Sequence, residues 1–310
     1  MNDPATYGGP GWQPRTGTHR EDVRAGVVWR TCGVTSEVGT LRQVVLAWPD
    51  QAFPPGDPND SLMLAWPDPV RLQAQAAAIG AFYEGQGIAV HWVRAPTAPP
   101  NIIFQRDLLF MTPDGAVLAR PGAGPRAGEV RWTAATLAQI GAPIVGVPRG
   151  EALLEGADAL WLKPDLVLVG IGRRTNAAGA AFVAGVVRDL GAAVVRVTLP
   201  PGVQHLLGMV NLLDRDLAAV RADKVTDEVR GVLRDAAIDT LVCGPGRDVS
   251  EALGMNFVTL APRRVVMPAG APSVRDALRA AGVEVHALEI GEYVKAAGGL
   301  GCLTGILHRE

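Results

Sequence analysis

The sequence predicts an α/β fold assembled from five similar units. Helix-like apolar stretches alternate along the chain with short runs rich in β-branched residues. A glycine or other turn residue separates each helix-like stretch from the strand after it. Those strands begin at Gly87, Gly141, Gly191, Ile238 and Gly282, so successive units lie 54, 50, 47 and 44 residues apart. A period of this size points to a radial or stacked architecture. Five such units could close into a ring with helices outside and strand ends at a shared axis. They could equally lie side by side as an open sheet of βαβ units.

The elements follow in order. Residues 42–48 read as the strand that opens the first unit, residues 72–82 as its helix and 87–93 as the strand that follows. The second unit starts with a strand, a Pro-Asp-Gly turn and a second strand over residues 108–118. Such turn residues supply the backbone angles of a hairpin. Its helix covers residues 134–139 and its last strand 141–147. The pattern returns over 159–169, 182–190 and 191–197, then over 209–220, 229–234 and 238–242. It closes over 256–267, 274–281 and 282–288. No linker-like stretch interrupts the series, so residues 26–310 are expected to form one domain. Residues 1–25 are polar and rich in glycine and proline, and are expected to be a flexible N-terminal arm.

Composition removes several functions. Net charge is −2 and no basic stripe runs along any segment, which excludes an electrostatic footprint for nucleic acid. No apolar run reaches the roughly 18 residues of a membrane span. The N-terminus has neither a basic start nor an apolar stretch, so no signal peptide is read there. Three cysteines and no export signal point to a reducing cytoplasm.

Four segments could carry chemistry. Cys302 stands beside Gly298, Gly299 and Gly301. A lone thiol is commonly a small core residue, and its company is what raises it to a candidate nucleophile. The glycines are expected to let backbone approach a ligand closely. Of five histidines, His19 lies in the arm, His308 in the tail, and His91 and His286 at matched positions in the helix-following strands. Only His205 follows a Pro-Gly turn into an apolar run, where a general acid/base could be exposed. Glu155, at the end of an apolar run, suits orienting a histidine, whereas turn chemistry alone explains Asp158. Asp107, at the edge of an apolar strand, would need a cationic partner. Together they make a nucleophile, an acid/base, its orienter and a cation-binding carboxylate, a set suited to attack on a guanidinium carbon. No paired His or Cys ligands stand at zinc spacing, and neither metal nor cofactor is expected.

Five ordered motifs resemble those of the guanidino-group-modifying, or pentein, superfamily. They cover residues 101–107, 155–158, 170–176, 205–206 and 292–304. The last follows the pattern Glu-x-x-Lys-x-x-Gly-Gly-x-x-Cys-hydrophobic-Ser/Thr. The resemblance implies a five-bladed α/β propeller of ββαβ repeats around a central active site. It implies Cys302 as nucleophile, His205 as general acid/base, Glu155 as the group that positions it, and Asp107 as the guanidinium anchor. Arg120 and Arg174 match arginines that bind a substrate α-carboxylate, and Asn101 and Phe104 match pocket-lining positions.

Two departures stand out. Ala157 replaces a usual glycine, a minor change. Arginine deiminases and amidinotransferases carry an Asp two residues after the histidine, where this chain has Leu207. A missing charge-assisted partner is worth on the order of 1.5–3 kcal/mol. An apolar wall suits an alkylated nitrogen, and the dimethylarginine hydrolases likewise lack that Asp. The expected activity is therefore hydrolysis of an N-methylated arginine to citrulline and an amine, through a thiouronium-type intermediate on Cys302. An arginine deiminase or an amidinotransferase is the alternative. The expected partner is a small guanidino substrate. A homodimer is compatible with the sequence, which does not set the oligomeric state.

Overall fold

The protein is described by a computed structural model covering residues 3–310. Helix α1 (His19–Ala25) precedes strand β1 (Leu41–Trp48), helix α2 (Pro69–Gly85) and strand β2 (Ala89–Arg94). Next come β3 (Leu109–Thr112), β4 (Gly115–Leu118), α3 (Val130–Gln139) and β5 (Ile144–Gly146). The third unit is β6 (Ala159–Lys163), β7 (Leu166–Ile171), α4 (Ala177–Arg188) and β8 (Ala193–Thr198). The fourth is β9 (Val210–Asp214), β10 (Leu217–Arg221), α5 (Asp227–Asp235) and β11 (Asp239–Cys243), followed by the short α6 (Arg247–Ser250). The fifth is β12 (Val258–Ala261), β13 (Arg264–Pro268), α7 (Pro272–Ala280) and β14 (Glu284–Leu288). Short helices α8 (Gly291–Lys295) and α9 (Leu300–Leu303) lead into β15 (Gly305–Arg309).

These strands form five separate three-stranded sheets, so the open-sheet alternative is excluded. In each blade the middle strand pairs antiparallel with the first strand and parallel with the one after the helix. The first strands β3, β6, β9, β12 and β15 are almost wholly buried, whereas β2, β8 and β14 are half exposed. The buried strands therefore line the axis of the ring. One expectation needs amendment. Residues 42–48 do not open the first blade, because β1 is its middle strand and β15, from the far end of the chain, supplies the inner one. The two pair antiparallel from Leu41 with Arg309 to Val45 with Gly305, which closes the ring.

The repeated turn residue has a single physical cause. After each of α2, α3, α4, α5 and α7 the chain takes a left-handed conformation, at Gly87, Gly141, Gly191, Ala237 and Gly282 (φ +74°, +77°, +83°, +54° and +77°). In every case that residue's N–H bonds three residues back and the next N–H bonds five back, as in Gly191 to Arg188 and Ala192 to Val187, both 2.9 Å. This paired capping ends a helix and turns the chain into a strand. Helix starts are capped as well. The Asp68, Asn176 and Thr226 side chains accept from the N–H groups of Arg71, Gly179 and Val229 at 2.9, 2.8 and 3.3 Å. Each such cap contributes about 1 kcal/mol.

Within the segment expected as a flexible arm, Thr18 and Glu21 form a capping box for α1. Val23 is fully buried, and Arg20 pairs with Asp114 at 2.6 Å. No helix among the described residues is long and apolar enough to cross a membrane.

Candidate active site

Each blade contributes one polar side chain just ahead of its inner strand. Asp107 lies in a 3-10 turn (Gln105–Leu108) before β3, and Glu155 immediately before another (Gly156–Asp158) leading into β6. His205 precedes a third (Leu206–Gly208) before β9, Asn256 stands two residues before β12, and Cys302 sits in α9 before β15. The approximate five-fold symmetry thus brings residues about 50 apart in sequence to one end of the axis. Gly156 permits this closeness. A Cβ there would lie 2.0 Å from the Leu109 carbonyl oxygen of the neighbouring blade.

A cavity of about 180 Å³ opens on this end, lined by Cys302, His205, Leu207, Asn256 and Arg221 among others. Behind it, His205 Nε2 lies 2.7 Å from Glu155 Oε2, and Nδ1 lies 3.7 Å from Asp107 Oδ1. Burial opposes a charge on His205, but the Asp107, Asp158 and Glu155 carboxylates outweigh it and lift the imidazole to about 9. Burial also works against ionising Glu155. The hydrogen bond and charge of His205, with Arg126 and Arg174, hold it down at about 2. An imidazolium–carboxylate pair is therefore the resting state at neutral pH. Burial pushes the Cys302 thiol up to about 11, with the Asp107 charge acting in the same direction.

Arg126 was invisible in the sequence reading and is the keystone of this cluster. Its Nη1 donates to Asp107 Oδ2 at 2.6 Å and to Glu155 Oε2 at 3.2 Å, and its Nη2 to Glu129 Oε2 at 2.8 Å. The Arg-x-x-Glu spacing of 126 and 129 was the only local signal, and it is common on any helix start. Asp107 Oδ1 is buried with no partner and remains an acceptor facing His205. Asp107, Glu155 and His205 have ligand-type atoms within 4.8 Å of one another, with the Arg126 cation set among the two carboxylates.

The other expected residues separate. Arg174 reaches Glu155 Oε1 at 3.4 Å. Arg120 is exposed, and its Nη1 donates to the Ala152 carbonyl at 3.2 Å rather than to this cluster. The Asn101 side chain donates to the Ser61 carbonyl. Asp158, read as a turn residue, is fully buried and accepts from the Leu206 N–H at 2.9 Å, which anchors the segment carrying His205. The glycines near Cys302 do not simply clear space for a ligand. A Cβ at Gly298 would meet the Phe104 ring at 2.1 Å, and one at Gly299 would meet Asn256 at 2.8 Å. They admit two of the site's own side chains.

The ring of five ββαβ blades is the pentein architecture. Crystallised dimethylarginine dimethylaminohydrolase from Pseudomonas aeruginosa, a cysteine-to-serine mutant complexed with citrulline, superposes with a TM-score of 0.71 at 22% identity. The match covers 86% of this chain and 99% of that one. Residues 96–235 match the arginine deiminase family model. The N(G),N(G)-dimethylarginine dimethylaminohydrolase of Streptomyces coelicolor is 30% identical over 205 residues, covering 66% of this chain and 74% of the relative. That of Mycobacterium tuberculosis is 28% identical over 237 residues, 76% of each chain. The chain belongs to the family of arginine deiminases and dimethylarginine dimethylaminohydrolases.

Proposed function

We propose that this protein hydrolyses N-methylated arginine to citrulline and the corresponding methylamine, with Cys302 as covalent nucleophile. The observation that carries the reading is Leu207. It lines the cavity together with Cys302 and His205, where an arginine deiminase would need a second carboxylate. An alkyl substituent gains from that apolar wall, whereas an unsubstituted nitrogen would leave its N–H groups unpaired there. The relatives that bear the dimethylarginine dimethylaminohydrolase name support the same choice.

In this reading Asp107 Oδ1, the free acceptor, takes an N–H of the substrate guanidinium, while Arg126 holds Oδ2. As the substrate cation docks, the Cys302 thiol gives its proton to solvent, and the thiolate adds to the guanidinium carbon, forming a C–S bond while the C=N π pair moves onto nitrogen. The C–N bond to the alkylated nitrogen then breaks, and the electron pair leaves with that nitrogen. His205 supplies its proton from Nδ1, because Nε2 is held by Glu155 at 2.7 Å. The thiouronium intermediate is next attacked by water, which gives a proton back to His205. The C–S bond breaks as the new hydroxyl becomes the ureido carbonyl and gives its proton to solvent, releasing citrulline and the thiolate. We assign the substrate α-carboxylate to Arg120 and Arg174, and pocket lining to Phe104 and Asn101. Residues 26–310 form the catalytic domain in this reading, with α1 held against it through buried Val23 and the Arg20–Asp114 pair, and the cytoplasm is the compartment that suits three free cysteines.

The test is mass spectrometry of a guanidine panel with wild type and C302A. Arginine, mono- and dimethylarginine, agmatine and a guanidino acid are incubated with and without an amine acceptor. Citrulline plus methylamine or dimethylamine, lost in C302A, is the expected result. Citrulline plus ammonia from arginine, or product only with an acceptor, would replace the reading with a deiminase or a transferase.

A further inference from the structure

Asn256 touches the sulfur of Cys302, and no motif in the sequence had marked it. Its Oδ1 accepts the backbone N–H of Cys302 at 3.0 Å, and its Nδ2 lies 3.0 Å from Cys302 Sγ. The first bond decides the second. A backbone N–H can only donate, so the atom facing it must be the carbonyl oxygen, and the amide NH₂ is thereby aimed at sulfur. The backbone repeats the grip: the Asn256 carbonyl accepts from the Gly301 N–H at 3.1 Å, and the Asn256 N–H donates to Leu253 at 2.8 Å. Asn256 is only 9% exposed and lines the reaction cavity. Two of the glycines around Cys302 serve this contact. A Cβ at Gly299 or Gly301 would come within 2.8 or 2.9 Å of the Asn256 side chain.

We propose that Asn256 is a further catalytic residue, whose side-chain N–H donates to Sγ, fixes the direction of the nucleophile and favours its thiolate over its thiol. An N–H donor gains strength when its acceptor becomes an anion, so this contact works on the charged form. It counters burial and the negative charge of Asp107, the two influences that keep the thiol protonated. The other groups bearing on the sulfur are the Gly299 backbone, the Arg126 cation and the cavity-lining His205. The proposal rests on Cys302 being the nucleophile but not on which guanidine it attacks.

The substitution N256D separates the two hydrogen bonds. A carboxylate oxygen can still accept the Cys302 N–H, but the other oxygen faces sulfur as a like charge. Thiolate formation is followed by ultraviolet absorbance against C302A, and by the iodoacetamide alkylation rate of the Cys302 peptide. In folded N256D the thiolate midpoint should rise and alkylation near pH 8 should slow roughly tenfold or more. The turnover number for the substrate should fall by a similar factor with KM little changed. If N256D does not fold, N256S is titrated in its place. An unchanged midpoint in whichever folded variant is read overturns the proposal. A shifted midpoint in a protein that processes no methylated arginine leaves Asn256's role standing and removes the substrate assignment instead.

Discussion

Leu207 is where a single side chain selects the reaction. L207D should restore the carboxylate that grips an unsubstituted guanidinium nitrogen. The ratio of kcat/KM for arginine to that for dimethylarginine should rise at least tenfold, and competition assays with both substrates would measure it. His205 makes a second prediction. As a proton donor held at about 9, it predicts that kcat/KM falls above that pH. In E155Q the imidazolium loses a partner 2.7 Å away, so the alkaline limb should move to lower pH. A pH–rate profile with an unmoved limb would separate His205 from that limb.

Part of the site could be read from residue types and spacing, and part could not. Cys302, His205, Glu155 and Asp107 stand beside glycines or at the ends of apolar runs, where an unexpected polar residue is visible. Arg126 and Asn256 carry no such mark. Their significance is their partners, and those lie 19, 29 and 46 residues away. The position of Asn256 before an inner strand matched the other four, a signal that only the repeat alignment could supply.

At the scale of an element, the helix-to-strand turn explains why the repeat was legible. Four of five left-handed positions are glycine, which takes that conformation without the clash between Cβ and carbonyl oxygen. Ala237 is the exception, with φ +54°. Replacing it with glycine relieves strain in the native state while adding freedom to the unfolded chain. The two effects partly cancel, leaving an expected net gain of about 0.5–1 kcal/mol. Chemical denaturation of A237G would measure it. Gly298 makes the opposite case. G298A drives a methyl into the Phe104 ring, and overpacking of this kind costs about 1–3 kcal/mol, visible as a lowered Tm. Runs of β-branched residues directly follow each helix-to-strand turn, so the outer strand positions were readable. Which strand completes the first blade was not, because β1 and β15 are joined by contacts spanning almost the whole chain.

At the scale of the molecule, the buried charges tie stability to pH. Glu155 titrates below its unfolded value, so its contribution is present above about pH 4.5 and is lost as pH falls toward 2. His205 titrates above its unfolded value. Its contribution is complete below about 6.5 and is lost as pH rises through 9. Burial raises Asp158 to about 6, above its unfolded value, so stability also falls as pH rises from about 4 through 6. Thermal unfolding should therefore show greatest stability in mildly acidic solution, with E155Q flattening both slopes.

The ring closure carries a consequence for how the protein comes into being. Strand β15 follows every other strand in the chain, and Cys302 stands three residues before it begins. During synthesis on the ribosome, four blades can form while the first still lacks its inner strand and the thiol has not yet been made. Catalytic competence and mechanical completion thus arrive within the same few residues of chain synthesis. A chain released early would hold the acid, the base and the anchor, and nothing to attack with.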